Sequence, residues 1–118
     1  MMPSVERATV VMHGVTRNVE DALARLRAVA DEASVELFRD GEGDEEREAE
    51  ERPDIAVALG GDGTMLRALT RFLGGEVPVI GVNFGRVGFL AAIPAAELER
   101  GLLRVFAGEY QVLSLPTL

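Results

Sequence analysis

The chain has 118 residues, enough for one domain with a buried core. It sets 12 basic residues, every one an arginine, against 20 acidic ones for a formal net charge of −8, and it holds five Phe, one Tyr and no Trp. That balance opposes the counterion release that drives nucleic-acid binding and leaves little for a base-stacking surface, so no nucleic-acid partner is expected. Without cysteine there is no disulfide, thiolate nucleophile or thiolate metal site, and the fold must rest on packing. No apolar run approaches the roughly 18 residues of a membrane span, and residues 1–7 lack a basic segment leading into an apolar one. No membrane partner is expected, and a cytoplasmic location is the default expectation.

In chain order, residues 8–12 (ATVVM) form a continuous β-branched run closed by His13-Gly14, the pattern of a strand buried on both faces. Val19, Ala22, Leu23, Leu26, Val29, Ala30 and Ala33 then recur at helical spacing, with Asn18 placed to cap and Asp21 favourable in the first turn. Residues 34–38 (SVELF) read as a second strand. Residues 40–54 hold nine acidic and two basic side chains, a local charge of −7 that accounts for most of the net charge; such a run is expected to be a solvated connector. Residues 55–59 (IAVAL) read as a third strand, entered from Pro53-Asp54 and left through Gly60-Gly61.

Residues 64–73 carry Met65, Leu66, Leu69 and Phe72 at helical spacing, so the glycines of residues 60–63 are expected between a strand and a helix. Residues 77–80 read as a fourth strand, followed by a glycine-containing turn over 81–88 that ends in Phe89-Leu90. Pro94 suits the first turn of a helix bearing Leu98, Leu102, Leu103 and Phe106 and ended by Gly108, although Gly101 inside it weakens that reading. Residues 110–115 read as extended with no turn or cap before Leu118, so further chain is expected to follow. Strands alternating with helices predict an α/β fold, a mostly parallel open sheet with helices on both faces, because parallel strands need right-handed crossovers. Ligands of such sheets sit beyond the carboxyl ends of the strands, where both glycine turns fall.

Gly60-Gly61-Asp62-Gly63-Thr64 is the sharpest local feature. Glycines let the backbone approach a bulky anion, and the helix that follows offers the positive end of its dipole. The spacing is not that of a P-loop, whose ammonium a chain without lysine could not supply in any case, nor is it Gly-x-Gly-x-x-Gly. An aspartate in an anion-binding turn repels phosphate, so it needs a reason. It holds a divalent cation or takes a proton from an attacking hydroxyl, or else it only caps the helix and satisfies the turn. The residues alone leave both readings open.

Gly60-Gly61-Asp62-Gly63-Thr64-Met65-Leu66, followed by Gly81-Val82-Asn83-Phe84-Gly85-Arg86-Val87-Gly88-Phe89-Leu90, resembles the two N-terminal motifs of the ATP-dependent NAD kinases. The first five residues also occur, with small changes, in diacylglycerol and sphingosine kinases and in phosphofructokinases; the Asn-x-Gly-x-x-Gly-Phe-Leu turn is more particular. The resemblance runs the length of the chain but matches only the front part of a usual family member. It implies a Rossmann-like N-terminal domain over residues 1–108, with residues 109–118 beginning a β-rich second domain whose Asn-Glu pair and Gly-Ser/Thr-rich segment do not occur here. Many members also carry an arginine close to where Leu115 stands.

The reaction that this resemblance implies moves the terminal phosphoryl group of ATP, or of polyphosphate in some members, to the adenosine ribose 2′-hydroxyl of NAD. By the same resemblance Asp62 is the proton acceptor, Gly61, Asp62, Gly63, Thr64, Arg67 and Asn83 bind NAD or ATP, and Gly60, Gly85 and Gly88 support the loops. A divalent cation, Mg²⁺ by expectation, accompanies ATP, and no metal-ligating residue is assigned. Arg67 is alternatively a solvated helix arginine. Phe89 and Leu90 are expected to pack beneath their loop, Arg86 to face solvent and His13 to be an incidental loop residue. A complete protein is expected to be a homo-oligomer, and this chain alone nearly inactive. The competing readings are a stand-alone nucleotide-binding module without catalysis and a lipid kinase domain; residues 83–90 argue against the latter.

Overall fold

The computed structural model describes residues 4–12, 16–39, 53–72, 77–83 and 92–110. Its centre is the pair β1 (Arg7–Met12) and β3 (Ile55–Gly60), parallel and in register from Ala8 against Ile55 to Met12 against Leu59. β2 (Glu36–Arg39) lies outside β1, and β4 (Val79–Asn83) and β5 (Ala92–Pro94) follow beyond β3. The sheet is therefore all parallel, in the order β2-β1-β3-β4-β5. Both central strands are continuous apolar runs because a strand covered on two faces has no solvent side for polar residues to occupy.

Alternation along the pleat divides the core into two layers. Ala8 and Val10 of β1, Ile55, Val57 and Leu59 of β3 and Val82 of β4 pack with α1 (Arg17–Ala33) and α3 (Leu98–Phe106). Val11 and Ala58 pack on the opposite face with α2 (Asp62–Arg71), through Met65 and Ala68 with Leu69 and Phe72 at the margin. Helices therefore cover both faces, as the alternation of elements predicts. No helix among the described residues is long and apolar enough to cross a membrane.

Several boundaries differ from those the sequence suggests. The cap of α1 is Thr16, whose hydroxyl oxygen accepts from the Val19 N–H at 3.2 Å, and Asn18 lies inside the first turn. Ser34 does not begin a strand: it ends α1 in the left-handed conformation, φ 58°, and the Val35 N–H donates to the Ala30 carbonyl at 2.8 Å. Gly108 does the same for α3 at φ 86°, with the Gly108 and Glu109 N–H groups donating to the Val105 and Arg104 carbonyls, each at 2.9 Å. β4 ends at Asn83 and not at Ile80. β5 was not anticipated. Pro94 closes it, paired with Asn83 at the sheet edge where a missing N–H is tolerated, and a 3₁₀ turn (Ala95–Glu97) separates it from α3. Of the acidic run, residues 40–52 lie outside the described residues, as do residues 111–118 of the expected terminal strand.

Asp54, the last acid of that run, has a defined structural use. Its Oδ2 accepts from the Glu6 and Arg7 N–H groups at 2.8 and 3.0 Å, while its own N–H donates to the Arg7 carbonyl at 2.9 Å, so the starts of β1 and β3 are fastened together. Gly101 likewise has a purpose that its poor helix propensity hides: a Cβ there would stand 2.8 Å from two Ile93 side-chain carbons, so its absence lets α3 lie against β5.

α1 and α3 are joined on the surface by a two-pronged ion pair. Arg25 Nε donates to Glu99 Oε2 at 2.6 Å, and Arg25 Nη2 donates to Glu99 Oε1. The hydrogen bond from Arg25 holds the Glu99 carboxyl below its ordinary range and raises the arginine in turn. A carboxyl lowered by folding stabilises the fold above its unfolded pKa and loses that contribution as the pH falls through the folded value. With both side chains substantially exposed, solvent limits the pair to about 0.5–1 kcal/mol. Glu99→Gln is therefore expected to lower the unfolding free energy read from urea denaturation at neutral pH by about that amount, and the gap to the unsubstituted protein should narrow as the pH falls below roughly 4.

Candidate active site

The sheet order reverses at β1. From β1 the chain passes through α1 to β2 on one side, whereas from β3 it passes through α2 to β4 on the other. The two connections diverge, and in open α/β sheets of this kind the ligand position lies beyond the carboxyl ends of the strands at that point. His13, which follows β1, lies outside the described residues. Beyond β3 stand residues 60–64, and the parallel register sets Gly60 directly beside Asn83 of β4. Neighbouring strands run about 4.7–4.9 Å apart, so the backbones of the two sequence motifs meet at one edge.

α2 begins earlier than helical spacing suggests. Gly60 is the last strand residue, Gly61 the cap and Asp62 the first helical residue, so Asp62 and Gly63 lie within the first turn instead of before it. The first helical hydrogen bond runs from the Met65 N–H to the Gly61 carbonyl at 3.1 Å. Gly61 has no side chain with which to cap, so the earlier N–H groups of this turn gain no acceptor from it, in contrast to the Thr16 cap of α1. A helix start without a side-chain cap from Gly61, at the positive end of the dipole, favours an anion at this point.

The three glycines are there for different reasons. Gly60 has φ +154°, and a Cβ on it would stand 2.5 Å from Thr64 Oγ1 and 3.0 Å from Thr64 Cβ. The close approach of α2 to β3 requires glycine at that position. Around Gly61 and Gly63 a Cβ would meet nothing within 4 Å, and neither has a positive φ. Within the described chain nothing demands glycine at 61 or 63, although Gly63 weakens the helix relative to alanine by about 1 kcal/mol. The side-chain-free patch they leave is exposed and adjoins the first turn of α2.

Thr64 is buried, 9% exposed, with its side chain turned toward Gly60. Arg67 is exposed and follows Gly63 by four residues, which puts it on the same helix face. Leu66 departs from the expected apolar stripe: it is 47% exposed, four residues past Asp62, while Met65, Ala68, Leu69 and Phe72 form the buried face. Gly85, Arg86, Gly88, Phe89 and Leu90 lie outside the described residues. Among the described residues no three His, Cys, Asp or Glu side chains gather as a metal cage. The structure thus brings residues 60–64 and Asn83 to one edge, with Arg67 one turn along α2.

An all-parallel sheet with helices on both faces and a glycine turn at its switch point defines a doubly wound α/β domain. The chain belongs to the family described as the ATP-NAD kinase N-terminal domain, whose profile matches residues 4–110. It is 44% identical over 66 residues to an NAD kinase of Gemmatimonas aurantiaca, covering 55% of this chain and 23% of that protein. It is 32% identical over 102 residues to an NAD kinase of Clostridium botulinum, covering 83% of this chain and 35% of the relative. A third NAD kinase, from Ralstonia nicotianae, is 48% identical over 58 residues, 49% of this chain and 19% of its own length. The chain therefore spans about a third or less of the curated relatives it matches.

The different demands on the glycines have measurable consequences. Gly60→Ala is expected to lower stability by about 2–4 kcal/mol, since it combines an unfavourable φ with overpacking against Thr64. Gly63→Ala should leave stability unchanged or raise it by up to about 1 kcal/mol. Urea denaturation of the two variants side by side checks both.

Proposed function

We propose that this chain is the N-terminal part of an NAD kinase, in which ATP phosphorylates the 2′-hydroxyl of the adenosine ribose of NAD to give NADP. The observation that carries the proposal is the register of Gly60 against Asn83, by which both motifs of the family share the ligand edge of the sheet. In this reading residues 1–108 are the α/β unit, residues 109–118 lead into a second domain, and the cleft lies between the two. The complete protein is a cytoplasmic homo-oligomer.

Asp62 is proposed as the general base. As the ribose oxygen attacks the terminal phosphorus of ATP, its O–H bond breaks and the proton passes to the Asp62 carboxylate. The new O–P bond forms while the bond from that phosphorus to the bridging oxygen breaks, releasing ADP. The bare backbone at Gly61 and Gly63 and the first-turn amides, that of Thr64 included, receive a phosphate-bearing ligand, and Asn83 and Arg67 contribute polar contacts from beside it. Gly60, Gly85 and Gly88 shape the two turns.

No protein cage for a cation exists among the described residues. An ion held mainly by the nucleotide's own phosphates, as Mg²⁺ commonly is, needs no such cage. Such an ion, with Asp62 as its protein neighbour, would offset the charge of the phosphates.

Asp62→Asn in the complete protein is expected to reduce NADP formation from NAD and ATP by about 10²–10⁴-fold while leaving the unfolding free energy within about 0.5 kcal/mol. Turnover near the unsubstituted rate would remove the base from the proposal. The 118-residue chain alone should form almost no NADP, because half a cleft forfeits orientation worth about 7–11 kcal/mol.

A further inference from the structure

The turn between β3 and α2 is held from within by few groups. Gly61 and Gly63 present no side chain, and around them a Cβ would meet nothing within 4 Å. Gly61 supplies no cap, and the Met65 N–H to Gly61 carbonyl bond closes the turn only at its far end. What stands between the end of the strand and the start of the helix is the side chain of Thr64. It is polar yet only 9% exposed, a degree of burial that only Thr9 matches among the polar described residues. Its Oγ1 and Cβ lie 2.5 and 3.0 Å from where a Cβ on residue 60 would be. A β-branched side chain is stiff at χ1, so this one acts as a wedge of fixed shape.

We propose that Thr64 is a positioning residue for the phosphoryl transfer: by packing its side chain into the space that Gly60 leaves, it sets the spacing of β3 and α2 and so the place of Asp62. This rests on the reading of the site given above. Asp62 and Thr64 belong to the same helical turn, so any settling of that turn toward the strand carries both. Loss of the wedge leaves a gap beside Gly60 that the turn can close, in part, by shifting toward the strand. A displacement approaching 1 Å at a reacting group is enough to slow a reaction by as much as about 10²-fold without removing a substrate contact.

Three variants of the complete protein separate wedge from ligand contact. Thr64→Ala should lower kcat for NADP formation about 10- to 100-fold while KM for NAD and for ATP stays within about threefold. Thr64→Val, which keeps the branched shape and loses the hydroxyl, should recover most of that kcat. Thr64→Ser, which keeps the hydroxyl and loses the methyl, should recover less. Amide hydrogen exchange over residues 60–66 gives a readout that needs no activity: it should quicken about tenfold or more in Thr64→Ala and far less in Thr64→Val. If Thr64→Val matches Thr64→Ala and KM rises in both, the hydroxyl is a substrate contact and the wedge is overturned. Unchanged exchange in Thr64→Ala overturns it as well. A complete unsubstituted protein that forms no NADP would refute the kinase reading instead, and the exchange comparison would still decide the wedge.

Discussion

Between Gly60 and Thr64 there is no room for a methyl group, and that exclusion governs the ligand edge of the sheet. With no Cβ on residue 60, the helix can start with only Gly61 between it and the strand's last paired residue and press its first turn against the strand end. A looser junction would move the amides of α2 away from the switch point and lengthen the path from Gly60 to Asp62. Because Gly60 is also in register with Asn83, the same contact relates the start of α2 to the end of β4. The edge is therefore rigid where it meets the sheet and bare where it meets solvent.

Rigidity below the edge comes from an uneven pair of layers. The face shared by α1 and α3 buries large side chains such as Leu26, Ile55, Leu59, Leu98 and Leu102. The face under α2 is built from smaller residues, with Ala58 and Ala68 beside Val11 and Met65, so that helix lies close to the strands through little intervening bulk. A close helix transmits the strand register to its own first turn with less slack than one held off by leucines, since packed side chains leave few voids to absorb a shift. At the opposite, amino end of the sheet, Asp54 fastens β1 to β3 through backbone donors. The two central strands are thus fixed at one end by a carboxylate and at the other by a glycine contact.

Much of this was legible in the sequence, for reasons that also mark the limits. β1 and β3 are double-sided strands, and a continuous apolar run reports that directly. The helical periods of α1 and α3 are equally plain, since each buries a broad stripe in the larger core. β5 was not legible, because three residues ending in proline carry no period, and its existence depends on pairing with β4. Leu66 was misplaced on the buried stripe: it lies about 100° around α2 from Met65, off the face that Ala68, Leu69 and Phe72 share with that residue. Gly101 only weakened the helix reading, and the residues alone did not separate Gly60 from Gly61 and Gly63, its supporting role coming from the family resemblance. What distinguishes them is the distance to Ile93 and to Thr64, a tertiary quantity that propensity does not contain. The placement of residues 60–64 at the carboxyl edge, in contrast, followed from the strand-turn-helix pattern alone.

Gly61 and Gly63 pose a different problem from Gly60, because the described chain gives them no work. Gly63 sits in a helical turn where alanine would be favoured by about 1 kcal/mol and where a methyl group would strike nothing. A locally unfavourable choice without an internal compensation points to a constraint from outside the packed chain. An anionic ligand that must approach the amides of α2 supplies one, for a methyl group at either position would stand between it and the backbone. The chain spans about a third or less of the relatives it matches, so the remainder of such a protein is a second source of close approach at the same edge. Both sources require the same thing of this domain: backbone held firmly by Gly60 and Thr64 and left uncovered at Gly61 and Gly63.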